Sequence, residues 1–344
     1  MKERLDGILT DAVNSGVSDI HLTVGVPPTL RLNGDLVSYG EDILTKQDTE
    51  AMAQAIVPLD KWETFKEKGE LDFSYAIEGL SRFRVNSYHQ SGKVGLAIRT
   101  IPTEIPTLEK LNLPDLLKDM MNKKQGLILV TGPTGSGKST TLAAMLNYVN
   151  MNYGKHILTL EDPIEFVHNH KNSIVNQREV GFDTQSFSNG LRAALREDPD
   201  IILVGEMRDF ETVSTALTAA ETGHLVLGTL HTTGAPETVD RLIDVFPHEQ
   251  QSQVRVQLAS VITGVISQRL LPTLDGKGRT SALEIMVATP AISNMIRTEK
   301  VHQIKSAMET GKQYGMQTMA DALNTLVNKG KITQEVANMY VKTE

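Results

Sequence analysis

Gly126-Leu-Ile-Leu-Val-Thr131 runs directly into Gly132-Pro-Thr134-Gly135-Ser136-Gly137-Lys138-Ser139, and residues 141–149 continue with helix-forming composition. The reading of this stretch decides the fold. A short apolar run without alternation is a strand buried on both faces. A glycine-rich turn between such a strand and a helix, spaced G-x-x-x-x-G-K-[ST], is the pattern that cradles phosphate. The glycines let the backbone close around an anion with its N–H groups inward. A helix starting near Lys138 adds the positive end of its dipole. Lys138 reaches β- and γ-phosphates, Ser139 offers a hydroxyl to Mg²⁺, and Thr140 can back it up. Thr134, Gly135, Ser136, Gly137, Lys138, Ser139 and Thr140 are therefore the candidate nucleotide-binding residues, with Ser139 the candidate metal ligand and ATP or GTP the expected ligand.

Downstream, the apolar runs 157–160, 201–204 and 225–230 also lack alternation and are separated by longer, partly helical segments. This is the pattern of an α/β domain with a parallel-rich sheet and crossover helices. Val254, Leu258, Val261, Ile262, Val265 and Ile266 share helical spacing and predict one apolar helix face. Residues 290–344 read as short helices, opened by Thr289 before Pro290.

Upstream, residues 101–114 carry three prolines and read as an interdomain linker. Residues 1–100 have a different texture. Leu5, Ile8, Leu9, Ala12 and Val13 predict an amphipathic helix that stops at Gly16. Short runs at 20–24, 29–32 and 36–38 follow, with Asn33-Gly34 as a hairpin turn. A helical stretch at 46–68 precedes strands at 71–77, 81–89 and 94–100. The expected organisation is a small α+β domain (1–100) with an antiparallel sheet, a linker (101–114) and the phosphate-binding domain (115–344).

Composition narrows the function. The 344 residues hold 34 Lys+Arg against 42 Asp+Glu, a net charge of −8, and no cysteine. Without cysteine there is no disulfide frame, Cys-ligated zinc, iron–sulfur cluster or thiol nucleophile. Residues 1–100 hold 11 basic and 15 acidic side chains, so neither part is basic, which speaks against a nucleic-acid partner. The charged start MKERLDGILTDAVNSG is no signal peptide, and no run approaches 18 apolar residues, so direct membrane insertion is not expected.

Two acidic segments end apolar runs: Glu161-Asp162-Pro163-Ile164-Glu165 and Gly205-Glu206-Met207-Arg208-Asp209. Carboxylates at the C-terminal ends of parallel strands face the same edge as the phosphate loop. Glu206 is the candidate water-activating base. Gly205 stands where an aspartate would usually follow the strand, so metal contacts lean on Ser139, water and the Glu161, Asp162 and Glu165 segment. His224 and His231 bracket the run 225–230; an imidazole at a strand end could sense the γ-phosphate, stabilise charge or cap the strand. Ser91-Gly92 closes a hairpin that sets Arg84 opposite Arg99, with Arg82 on the same face and Phe83, Val85 and Ile98 on the other. Like charges so placed repel. They are either splayed into water, neutralised by acids, or aimed at an anion as arginine fingers.

With these motifs together the chain resembles the secretion and pilus motor ATPases and, within them, the PilT-type type IV pilus retraction ATPases. The likeness is carried by Ser18-Asp-Ile-His-Leu22, Arg82-Phe-Arg-Val-Asn86, the phosphate loop, Glu161–Glu165, Gly205–Asp209, Gly223–Thr232 and Val239–Pro247. The resemblance implies a PAS-like N-terminal domain and a RecA-like ATPase domain, assembled as a ring-shaped homohexamer hydrolysing ATP with Mg²⁺. It assigns Glu206 as catalytic glutamate, 157–165 as an Asp box, 224–232 as a His box, and Arg84 and Arg99 as arginine fingers. It implies a cytoplasmic protein, peripheral at the inner face of the membrane, whose partners are an inner-membrane pilus platform protein and a paralogous retraction ATPase. The family's Ala-Ile-Arg-Asn-Leu motif is here Ala291-Ile-Ser293-Asn-Met295, with Arg297 the nearby arginine. Assembly and secretion motors of the superfamily use a four-cysteine zinc module, which this sequence cannot form. A DNA translocase is opposed by the acidic balance, and a non-hydrolysing scaffold by the intact Lys138 and Glu206.

Overall fold

The computed structural model describes residues 1–32, 35–102, 104–276 and 278–341. The chain divides into two compact units, the first formed by Met1–Glu104 with Glu165–Val167 and the second by Ile105–Ile164 with His168–Glu344.

In the first unit, α1 (Lys2–Asn14) is followed by β1 (Asp19–Leu22), β2 (Thr29–Leu32), β3 (Asp35–Ser38), α2 (Lys46–Ile56), α3 (Trp62–Lys68), β4 (Glu70–Ile77), β5 (Ser81–Gln90) and β6 (Lys93–Ile101). The strands form an antiparallel sheet in the order β3-β2-β1-β6-β5-β4. Its inner face buries Ile20, Leu22, Phe83, Val85, Leu96 and Ile98 against Leu5, Leu9, Met52 and Phe65 of the helices. The hairpin residues Asn33-Gly34 lie outside the described residues; the flanking pair Leu32 and Asp35 is in register. The single helical stretch expected over 46–68 is two helices. Pro58 forces Val57 into an extended conformation (ψ 130°), which ends α2.

The second unit opens with α4 (Leu116–Met121). β7 (Gly126–Thr131), α5 (Lys138–Asn152), β8 (His156–Glu161), β9 (Ile174–Glu179), α6 (Phe187–Ala194), β10 (Ile201–Val204), α7 (Phe210–Glu221) and β11 (Leu225–Leu230) follow. Then come α8 (Ala235–Asp244), α9 (His248–Val261), the strands β12 (Ile262–Pro272) and β13 (Arg279–Val287), and α10 (Pro290–Arg297), α11 (Ile304–Thr310), α12 (Met319–Asn328) and α13 (Gln334–Val341). The sheet order is β13-β12-β7-β11-β10-β8-β9, parallel except for β13. Lack of alternation in the central runs has a direct cause. Leu127, Leu129, Leu158 and Leu160 feed one core, while Ile128, Val130, Ile157 and Leu203 feed another across the sheet.

One expectation is corrected. Ile262, Val265 and Ile266 do not extend a helix; α9 stops at Val261 and they lie in β12, paired with β7. The run Val-Ile-Thr-Gly-Val-Ile is rich in β-branched residues, which favour strand, and burial on both faces lets it satisfy helical spacing by accident. Residues 105–114 belong to the second unit, where Leu108 and Leu113 are buried.

Candidate nucleotide site

The loop between β7 and α5 is shaped by three left-handed glycines, Gly132, Gly135 and Gly137 (φ 139°, 78° and 89°). Only at Gly135 would a side chain meet open space. A Cβ at Gly132 would stand 2.3 Å from the Gln268 carbonyl oxygen, and one at Gly137 would stand 2.8 Å from Gln268 Nε2. Gly132 is therefore required by the backbone of β12 behind the loop, and Gly137 by its positive φ together with the hydrogen-bonded Gln268 amide. Gln268 Nε2 donates to the Ser136 carbonyl (2.8 Å), and its Oε1 accepts from Thr141 Oγ1 (2.7 Å). The hydroxyls of Thr131 and Ser267 lie 2.7 Å apart. Sequence reasoning missed Ser267 and Gln268. The signal was a polar pair inside an apolar strand, which demands partners.

Lys138 Nζ donates to the carbonyls of Gly132 (2.7 Å) and Pro133 (3.2 Å), so the ammonium folds over its own loop. Ser136 Oγ is buried without a hydrogen-bond partner, and Thr134 and Gly135 are exposed at the tip. A loop with a spare buried hydroxyl and an ammonium folded over its carbonyls fits a phosphate chain. Ser139 and Thr140 are half-buried in the first turn of α5.

Because β7, β11, β10 and β8 are parallel, their C-terminal ends share one sheet edge. The structure brings Glu206 and His231 together there: Nε2 lies 3.1 Å from Glu206 Oε1, which also accepts from Arg208 Nε. The segment carrying Glu206 is fixed by the Gly205 N–H to Leu160 (2.7 Å), by the Thr229 hydroxyl to the Gly205 carbonyl, and by the Met207 N–H to Thr229 (3.0 Å). Glu161 is the last residue of β8; its Oε1 accepts from Thr159 Oγ1 (2.6 Å) and Gln177 Nε2 (3.1 Å). Glu165 is exposed beyond the strand end.

His224 is not part of this constellation. It precedes β11, at the opposite edge, about 23 Å from His231 at the usual strand rise. Its Nδ1 lies 3.0 Å from the Ala219 carbonyl, tying the end of α7 to β11. Strand direction separates the two histidines that the sequence had bracketed together.

In the first unit Arg84 lies directly opposite Arg99, as the hairpin register requires, and both are exposed. Ser91 and Gly92 both have positive φ (49° and 69°), the signature of a two-residue hairpin turn. Arg99 also faces Asp19 across β1, with its Nε donating to Oδ1 at 2.8 Å. Partial burial pushes the Asp19 carboxyl up; hydrogen bonds from Arg99 and Ser18 outweigh it and hold the pKa below the ordinary value. Asp19, His21, Asp72, Arg84, Asn86 and Arg99 line a concavity of about 220 Å³.

Among the described residues no group of three His, Asp or Glu side chains forms a metal site, and no helix is long and apolar enough to cross a membrane. The fold and loop define a P-loop nucleotide-binding protein with a RecA-like, parallel-rich sheet and a smaller N-terminal domain. Residues 1–342 match the family described as type II/IV secretion system protein, and the chain belongs to that family. It is 51% identical over 335 residues to the type IV pilus retraction ATPase PilT of Pseudomonas aeruginosa, covering 97% of each chain. It is 49% identical over 310 residues to a twitching motility protein of Neisseria gonorrhoeae, covering 90% of this chain and 83% of that one. Among solved structures, the pilus retraction motor PilT with bound ADP aligns with a TM-score of 0.89 at 50% identity, over 96% of this chain and 94% of that one. The Legionella pneumophila ATPase DotB aligns with a TM-score of 0.88 at 30% identity, over 100% and 96%.

Proposed function

We propose that this chain is a motor ATPase that hydrolyses ATP to power retraction of type IV pili. The observation that carries the reading is the meeting of the phosphate loop, Glu206, His231 and Glu161 at one sheet edge, in a chain similar from end to end to a retraction ATPase. The loop amides and Lys138 bind the triphosphate. Glu206 orients water in line with the γ-phosphorus and accepts its proton; the bond to the β-γ bridging oxygen breaks, leaving ADP and phosphate. In this arrangement Glu206 is engaged by Arg208 and His231, which hold the carboxylate until substrate orders the edge. The oxygen donors Ser139 and Glu161 suit a hard cation and would hold Mg²⁺, directly or through water, which supplies charge neutralisation at the β- and γ-oxygens.

Arg84 and Arg99 are the proposed source of positive charge for the transition state. They act on nucleotide within a homohexameric ring, where one subunit's closure is felt by the next. Glu165, from the same acidic segment of the sequence as Glu161, is a further proposed catalytic residue. A platform protein at the inner face of the membrane and a paralogous ATPase are the proposed partners; a paralogue named type IV pilus ATPase PilU exists in Pseudomonas aeruginosa, 42% identical to this chain. The test is deletion in the source organism with surface pili counted. Excess pili that return to normal on complementation support retraction; bald cells refute it in favour of assembly.

A further inference from the structure

We propose that Gln268 is a positioning residue that holds the phosphate loop in its anion-binding form; the proposal rests on the nucleotide reading above and deepens it. A loop with glycines at 132, 135 and 137 has much backbone freedom to lose. Something must order it before an anion arrives. Lys138 cannot do so throughout the cycle, because its ammonium must leave the Gly132 and Pro133 carbonyls to meet phosphate.

Gln268 meets the loop at three places. Its main-chain carbonyl fills the space beside Gly132, where the chain leaves β7. Its amide Nε2 holds the Ser136 carbonyl at the loop's far side (2.8 Å), and its Oε1 holds Thr141 in the first turn of α5 (2.7 Å). Gln268 and Thr141 are both buried, at 3% and 1% exposure. The Ser136 contact matters most. While its carbonyl is bonded to Gln268, it points at β12 and away from the ligand side. Released, the 136–137 peptide can flip, since Gly137 is free to change φ, and would turn a carbonyl oxygen towards the phosphates and an N–H away. The neighbouring Thr131–Ser267 hydroxyl pair fixes the same strand against the loop's root.

The test compares Gln268→Met, which keeps the volume and removes both hydrogen bonds, with Gln268→Glu and Thr141→Val in the full-length protein. ADP binding is measured by calorimetry, steady-state ATPase by phosphate release, and folding by Tm. Gln268→Met should weaken ADP about 10- to 100-fold, the effect of leaving one or two buried polar groups unpaired. It should raise KM by a similar factor with kcat within about threefold, because loop ordering is common to ground and transition states. Thr141→Val, which removes one contact and conserves shape, should give a smaller loss in the same direction; it carries the test if Gln268→Met fails to fold. In Gln268→Glu the carboxylate can accept from Thr141 but repels the Ser136 carbonyl, whereas the protonated acid donates as the amide did. The ratio of variant to wild-type ADP affinity should therefore recover as pH falls from 8 to 5.5, burial having raised that carboxyl. A side chain that only fills space would give a pH-independent ratio. Wild-type affinity in folded Gln268→Met, or a flat ratio in Gln268→Glu, overturns the proposal. Absence of ADP binding by the wild-type protein overturns the nucleotide reading and this proposal with it.

Discussion

Gly205 occupies the place after β10 where an aspartate would usually help a phosphate-loop enzyme hold its metal, and the structure gives the reason a side chain is absent. Its φ is not positive, so backbone conformation does not demand glycine. Space does. A Cβ there would stand 2.9 Å from the Leu160 carbonyl oxygen, 3.2 Å from Glu161 Cα and 3.3 Å from Phe187 Cε1. Two of these are backbone atoms of β8, which is held between β10 and β9. They cannot swing aside as a side-chain end would. The same Leu160 carbonyl accepts the Gly205 N–H at 2.7 Å, so relieving the overlap stretches that bond. Overpacking of this kind costs about 1–3 kcal/mol. For a folding unit of this size that corresponds to a Tm lower by about 2–10 °C. The displacement falls on Glu161 and on Glu206 one residue away, so turnover should fall at least tenfold, a cost of about 1.4 kcal/mol in the barrier. Gly205→Ala is the clean test, measured by differential scanning fluorimetry at fixed protein and nucleotide concentration and by phosphate release. Gly205→Asp should be worse in both assays, because it adds a carboxylate beside Glu206. A Gly205→Ala protein with unchanged Tm and unchanged turnover refutes the packing argument, and an active Gly205→Asp protein would show that metal binding had been open to an aspartate all along.

Glu206→Gln should keep ADP affinity within a few-fold and lose about 10²- to 10⁴-fold in turnover, the usual worth of a positioned base; near wild-type turnover would remove Glu206 from the mechanism. Arg84→Ala and Arg99→Ala should each depress kcat more than they change nucleotide affinity, and unchanged ATPase activity in both would leave them as solvated surface charges. Burial away from water first, and Lys171 second, pushes the His168 imidazole down to about 4, from an ordinary 6.5. Between those values the unfolded chain takes up a proton that the folded one refuses. The stability from neutral His168, about 3 kcal/mol, is therefore complete above pH 6.5 and is lost as pH falls towards 4. His168→Leu should flatten that part of the Tm–pH curve; an identical acid limb in both proteins would contradict it.

What could be read from the sequence was whatever local chemistry decides. The phosphate loop announced itself because strand, glycine spacing and helix start lie within a few residues of each other. Glu206 and Glu161 were placed on the right edge because parallel strands put their C-terminal ends together. What escaped depended on contacts far apart in the chain. β9 opens with Ile174-Val175 but continues through Asn176, Gln177 and Arg178 at the sheet's margin, too short an apolar run to read as a strand. β12 matched helix and strand spacing equally, and only pairing with β7 separates the two. Gln268 lies 132 positions from the carbonyl it holds. The partnership of Glu206 with His231 needed the knowledge that β10 and β11 are neighbours, and the exclusion of His224 needed the direction in which β11 runs.

The arginine pair shows both regimes at once and sharpens what it means. The Ser91-Gly92 turn fixes the β5–β6 register locally, so Arg84 opposite Arg99 was legible from residue numbers alone. The acid that makes the arrangement tolerable was not, because Asp19 reaches Arg99 through β1–β6 pairing across 80 positions. Asp19 changes the electrostatics unequally. Its carboxylate orients and neutralises Arg99, while Arg84, beside it on the same face, gains no such partner from Asp19. The two guanidiniums share an exposed concave surface with the carboxylates of Asp19 and Asp72, where a solvated lysine would have served equally well if charge alone were needed. A planar, bidentate donor with a neighbour already oriented is what phosphate oxygens require. If the two arginines act as the proposed fingers, they are unequal ones: Arg99 is already oriented by Asp19, whereas Arg84 is not, so Asp19→Asn should change the kcat of the enzyme through Arg99, and a kcat equal to wild type would refute the coupling.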